Sequence, residues 1–192
     1  MANVTRRHLL KASFAGALLP SVTFAADDTR EALREGGCVI YFRHAATTWS
    51  GVDRIEWPRE RQRLLSDLGV AQSEEIGAAF RAEGFPVGEV LASPFARCRD
   101  MAEIAFGRVE ERMELLGLLS DTEGRAGRVA YLRERMTTPP AAGKNRIIVS
   151  HRSNIAEVAG ARLAEGEAVI VRPNDDGFDT LAQWMPNDWA LA

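Results

Sequence analysis

The chain has 192 residues, 46% of them apolar and 27% charged, and a formal charge of −3. That length predicts one domain of ordinary size, able to bury roughly 70% of its unfolded surface without disulfide or metal staples. The balance is that of a globular protein, and the absence of a basic stripe or tail argues against nucleic-acid binding.

The first 25 residues read as a targeting signal. Thr5-Arg6-Arg7-His8-Leu9-Leu10-Lys11 supplies paired arginines, and residues 12–25 are mostly apolar. That stretch is too short for a bilayer, which needs about 20 apolar residues. Thr23-Phe24-Ala25 offers small residues for cleavage. The paired arginines resemble the twin-arginine export motif, with Leu9 in the place of its phenylalanine. The expectation is a signal peptide over 1–25 handled by the twin-arginine export machinery. Residues 26–192 would then be a single periplasmic or otherwise exported domain, folded before translocation and without a stable membrane anchor after cleavage. A basic, frayed first helix is the alternative. An exported chain could pair its only cysteines, Cys38 and Cys98. Two separate buried or half-buried thiols is the preferred reading, and no Cys/His cluster has zinc spacing.

In chain order, 27–37 reads as a short helix and 38–42 as a buried strand. Residues 45–63 are irregular, and a loop of that length inside a compact domain is more often functional than idle. Residues 67–83 have helical apolar spacing, with Ser66 as N-cap and Gly84 as stop. Residues 87–92 form a second strand. Ser93-Pro94 opens a helix to about Phe106, with Ser93 as its cap. Residues 112–119 read as a weaker strand or extended segment, and 125–136 as a helix. The strongest strand signal is 146–150, followed by a helix over 153–164. The final strands, 167–172 and 178–185, flank the turn Asn174-Asp175-Asp176-Gly177. This alternation predicts a three-layer α/β/α sandwich with a mostly parallel central sheet.

Three short elements stand where predicted strands end, the place at which open α/β folds collect catalytic groups. Arg43-His44 follows the first strand. It places an imidazole beside a forked cation suited to phosphate oxygens. Ser93-Pro94-Phe95-Ala96-Arg97 follows the second, putting an arginine on the first turn of a helix whose free N–H groups favour anions. Ser150-His151 follows the strongest strand. Two histidines and two arginines at one sheet edge suit phosphoryl transfer, one imidazole attacking phosphorus while the other groups neutralise the equatorial oxygens.

This set resembles the histidine phosphatase superfamily, the phosphoglycerate-mutase-like fold. Arg43-His44-Ala45 corresponds to its Arg-His-Gly, with alanine in place of glycine. Ser93-Pro94-Phe95-Ala96-Arg97 corresponds to Ser-Pro-x-x-Arg, although Met101-Ala102 replaces the usual Thr-Ala. Leu65-Ser66-Asp67-Leu68-Gly69-Val70-Ala71-Gln72 matches its Leu-Ser/Thr-x-x-Gly-x-x-Gln start, and Val149-Ser150-His151-Arg152-Ser153-Asn154-Ile155 its Val-x-His-x-x-x-Ile. The segment from Glu165 to Pro173 resembles a small bacterial branch of the superfamily.

The resemblance implies a phosphomonoester hydrolase working through a phosphohistidine on His44, with Arg43, Arg97 and His151 clamping the phosphoryl group. It implies no metal and no cofactor, because protein cations supply the positive charge. The family's proton donor to the leaving group falls on Asp121, in Leu119-Ser120-Asp121, with Glu123 and Glu114 as alternatives. Arg63 and Arg152 are candidates for further contacts to a small phosphorylated substrate. Trp49 and Trp57 would line the entrance or pack the long loop. A non-catalytic phosphate-binding module on the same fold and a phosphoglycerate-type mutase are the alternatives.

Overall fold

The computed structural model describes residues 26–119 and 123–190. A six-stranded sheet runs through its centre in the order β3-β2-β4-β1-β5-β6. The strands are β1 (Val39–Arg43), β2 (Val87–Ala92), β3 (Glu110–Glu111), β4 (Asn145–Ser150), β5 (Ala168–Asn174) and β6 (Gly177–Trp184). Pairings β2–β3, β2–β4 and β1–β4 are parallel, while β5 runs antiparallel to both β1 and β6. The expected sandwich with a mostly parallel sheet is the fold observed. The helices are α1 (Ala26–Glu35), α2 (Asp67–Glu83), α3 (Ala96–Phe106), α4 (Arg125–Thr137) and α5 (Arg152–Ala159).

The central strands are apolar almost throughout because both faces are covered. Along β1, Ile40 and Phe42 point into a core shared with α2 and α3, and Val39 and Tyr41 into one shared with α4 and α5. The first core is closed by a C-terminal turn, Pro186–Trp189. Its fully buried Trp189 stacks within 5.5 Å of Phe42 and 4.9 Å of Phe80.

Local signals decide the best-predicted element. Ser66 caps α2 by accepting the Gly69 N–H, and Gly84 ends it in the left-handed region at φ 68°. The same start also brackets the chain after His44. Ser66 N–H donates to the Ala46 carbonyl at 3.0 Å, and Gln72 Oε1 accepts the Ala46 N–H at 3.0 Å. A Cβ on Gly69 would stand 2.1 Å from the Ala46 oxygen, so only glycine allows this approach.

Three expectations are corrected. α3 begins at Ala96 rather than at Ser93-Pro94, because Ser93 N–H still bonds the Val149 carbonyl as a strand extension and its hydroxyl is engaged elsewhere. Residues 112–119 form no strand beyond the two-residue β3 that precedes them. They carry a 3-10 turn, Met113–Leu115, whose backbone is held by side chains. Ser150 Oγ donates to the Leu115 carbonyl and Asn154 Nδ2 to that of Leu116. α5 stops at Ala159 instead of Ala164, because Gly160 takes φ 67° and ends it. Cys38 and Cys98 are separate buried thiols, as preferred. The proposed signal segment, 1–25, lies outside the described residues, as does Asp121. Among the described residues, no helix is long and apolar enough to cross a membrane.

Candidate active site

Strand register brings the motifs together. β1 pairs with β4 so that Arg43 stands opposite Ser150, and β4 pairs with β2 so that Val149 stands opposite Ala92. One residue further on, three adjacent parallel strands deliver His44, His151 and Ser93 to the same edge. The two imidazole centroids are 5.7 Å apart.

His44 is buried, and its Nδ1 lies 2.9 Å from the Ala45 carbonyl oxygen. A carbonyl only accepts, so Nδ1 carries the proton and Nε2 keeps the lone pair. His151 has the opposite tautomer. Its Nδ1 faces Arg97 Nη2 at 3.4 Å, which can only donate, so Nε2 carries the proton and donates to Ser93 Oγ at 2.9 Å. The Tyr41 hydroxyl holds the backbone of His151, donating to its carbonyl and accepting its N–H. Burial first, and the Arg97 charge second, push both imidazoles well below their ordinary pKa, so both are neutral.

Arg97 is buried on the first turn of α3, its guanidinium 4.4 Å over the Phe95 ring. Its Nη1 donates to Asp53 Oδ2 at 2.7 Å, and Asp53 is 2% exposed. The same carboxylate oxygen accepts the Arg63 backbone N–H. Arg43 donates to the Leu163 carbonyl and to Glu165 Oε1, each at 3.1 Å. Arg63 Nη2 reaches the same Glu165 oxygen at 3.1 Å. The Nε groups of Arg43 and Arg97 are buried with no partner among the described residues.

These groups line one cavity of about 380 Å³. Arg43, His44, Arg63, Arg97, His151 and Arg152 all stand on its wall, together with Asp53 and Glu165. All the described site candidates therefore meet in one place. Among the alternative acids, neither Glu114 nor Glu123 lies on this wall. Trp49 and Trp57 do not line it either. They lie under Arg63 and Arg61, at 5.9 and 5.0 Å, and pack the loop.

At the helix N-terminus, one of the N–H groups that the sequence offered to an anion is already engaged. Its first N–H, on Ala96, is taken at 3.0 Å by Gln62 Oε1, a buried side chain from the long loop. The sequence reading also missed Asp53 and Glu165. The signal available was a deficit: four candidate arginines, Arg43, Arg63, Arg97 and Arg152, with no counter-ion assigned to any of them, and buried charges require counter-ions.

The sequence matches the family model described as histidine phosphatase superfamily, branch 1, over residues 39–127. That matched stretch, just under half of the chain, resembles the histidine phosphatase superfamily. No curated protein matches it. Among solved structures it is similar to the protein histidine phosphatase SixA complexed with tungstate, at 17% identity over 80% of this chain and 99% of that one, with TM-score 0.55. It is similar to a putative phosphohistidine phosphatase SixA from Agrobacterium tumefaciens, at 17% identity over 78% and 99%, with TM-score 0.54. It is also similar to a mutant phosphoserine phosphatase from Entamoeba histolytica in complex with phosphoserine, at 11% identity over 79% and 98%, with TM-score 0.55. At these identities the likeness establishes the histidine phosphatase fold, and the chemistry must be argued from the cavity itself.

Proposed function

We propose that this protein is a histidine phosphatase that hydrolyses phosphomonoesters through a phosphohistidine on His44. The observation that carries the reading is the His44 tautomer: with Nδ1–H bonded to the Ala45 carbonyl, Nε2 is left as an unprotonated nucleophile in a cationic cavity. Among the described residues, four guanidiniums and two carboxylates line that cavity, a balance of about +2 with both imidazoles neutral. A phosphomonoester carries about −1.5 to −2 near neutral pH, so the charges match. The two buried Nε–H groups of Arg43 and Arg97 lack acceptors among the described residues, and phosphate oxygens would supply them.

In the first half-reaction Nε2 of His44 attacks phosphorus, and the P–O bond to the leaving group breaks. Arg43 and Arg97 neutralise charge on the equatorial oxygens, His151 faces Arg97 through Nδ1, and Arg63 and Arg152 extend the cationic wall. The leaving alkoxide takes a proton from an acid, a role we assign to Asp121. In the second half-reaction water attacks the phosphohistidine, the P–N bond breaks, His44 regains its lone pair and phosphate departs. The same acid, now ionised, takes the proton from that water.

Acid-quenched trapping with a labelled phosphomonoester tests the reading. Label should appear on the wild-type protein and vanish in His44→Ala, with loss of turnover. Phosphate binding by calorimetry with neither labelling nor hydrolysis across a substrate panel would instead support a binding module.

We also propose that the chain is exported by the twin-arginine route, on the strength of Arg6-Arg7 and the short apolar stretch behind them. Replacing both arginines with lysine should hold the protein in the cytoplasm at its full precursor length. Unchanged export would overturn this.

A further inference from the structure

A second cavity, of about 460 Å³, adjoins the catalytic one and shares Leu119, Arg152 and Ser153 with it. Beyond them it is walled by Ala156 of α5 and by the 162–164 segment, with Arg162 at its side. The two cavities differ in charge. At the catalytic end, Asp53 and Glu165 offset part of the cationic charge and hold the arginines in place. Among the described residues no acid lines the second cavity, and Arg152 and Arg162 face it over an apolar floor of Leu119, Ala156 and Leu163. Among the described residues, neither guanidinium has a carboxylate partner. The two ends are mechanically linked: the Leu163 carbonyl that accepts from Arg43 follows directly on Arg162.

We infer that the leaving group of the substrate carries a second anionic group, a carboxylate or a further phosphate, held by Arg152 and Arg162 and joined to the reacting phosphate by a partly apolar spacer. The inference rests on the phosphatase reading only for the direction in which the substrate lies. With His44 and its clamp fixing the phosphoryl group, the adjoining cavity is where the rest of the molecule goes. A pair of cations attracts an anion, and the apolar floor disfavours a spacer made only of hydroxyls.

The test uses alkyl phosphonates, which bind without being hydrolysed, in matched pairs with and without a terminal carboxylate or second phosphonate. Calorimetry on the wild-type chain should find the anionic-tail member of a pair about fivefold tighter, the scale of two partly exposed charge contacts. The advantage should shrink as salt is raised. Arg162→Ala should cut the ratio below about two, Arg162→Glu should reverse it, and Arg162→Lys should keep most of it. Affinity for the plain alkyl phosphonate should stay the same in all three. The carboxylate and phosphonate arms show which anion is preferred. Equal affinity within the pairs, or equal losses for both members in Arg162→Ala, would overturn the subsite. Because the readout is binding, a failure of hydrolysis would count against the phosphatase reading alone.

Discussion

Arg97 and Asp53 form an ion pair that is buried on both sides, Nη1 to Oδ2 at 2.7 Å, with side chains 4% and 2% exposed. It joins the first turn of α3 to the long loop between β1 and α2, and it aims the arginine proposed to grip phosphate. Removing one member of such a pair leaves the other charged and uncompensated. Asp53→Ala is expected to lower unfolding stability by about 3 kcal/mol in urea titration. Inorganic phosphate should stabilise that variant more than it does the wild type, because it supplies the missing negative charge. Equal stabilisation of both would show that Asp53 does not compensate the phosphate site.

Stability should also fall with acid in a way that belongs to the two histidines. Both have folded-state pKa values well below the ordinary 6.5, from burial first and Arg97 second. Above pH 6.5 neither state binds the proton, and the histidines contribute no pH dependence. As pH falls below 6.5 the unfolded chain protonates and the folded chain does not, so stability is lost, approaching about 1.4 kcal/mol per pH unit for each imidazole. Thermal melts between pH 7.5 and 5.5 should show a larger drop in Tm for wild type than for the His44→Gln, His151→Gln double variant. Parallel curves would refute the buried neutral assignment.

The proton donor can be separated by leaving group. Asp53 and Glu165 are the acids on the described cavity wall, and the carboxylate of each is already engaged by arginine, Asp53 by Arg97 and Glu165 by Arg43 and Arg63. That leaves Asp121, whose place two residues after the wall residue Leu119 motivates the assignment. Asp121→Asn should slow hydrolysis of alkyl phosphates about 10²-fold or more, the usual scale of general acid catalysis. An aryl phosphate with an electron-withdrawing ring, whose leaving group departs as an anion, should be nearly unaffected. A similar loss on both would remove Asp121 from this role.

What the sequence determined by itself was local. Helix α2 is bounded by Ser66 and Gly84, residues whose side-chain acceptor and positive φ act within four residues of the helix end, so both limits could be read directly. Strands β1, β2 and β4 are apolar runs, and Arg43, His44, Arg97 and His151 were visible because each follows one. Where a side chain had a distant alternative partner, local reading failed. Ser93 looked like a helix cap but bonds His151, 58 residues away. The first N–H of α3 looked open to an anion but is closed by Gln62, 34 residues back. Asp53 stands in no motif and Glu165 only opens the segment that runs to Pro173, and their meaning as counter-ions exists only once Arg97, Arg43 and Arg63 are beside them. Tertiary structure decided the register of β1 against β4 and β2. That register makes one cavity of three separate motifs, because parallel strands that end together must deliver their next residues to the same edge.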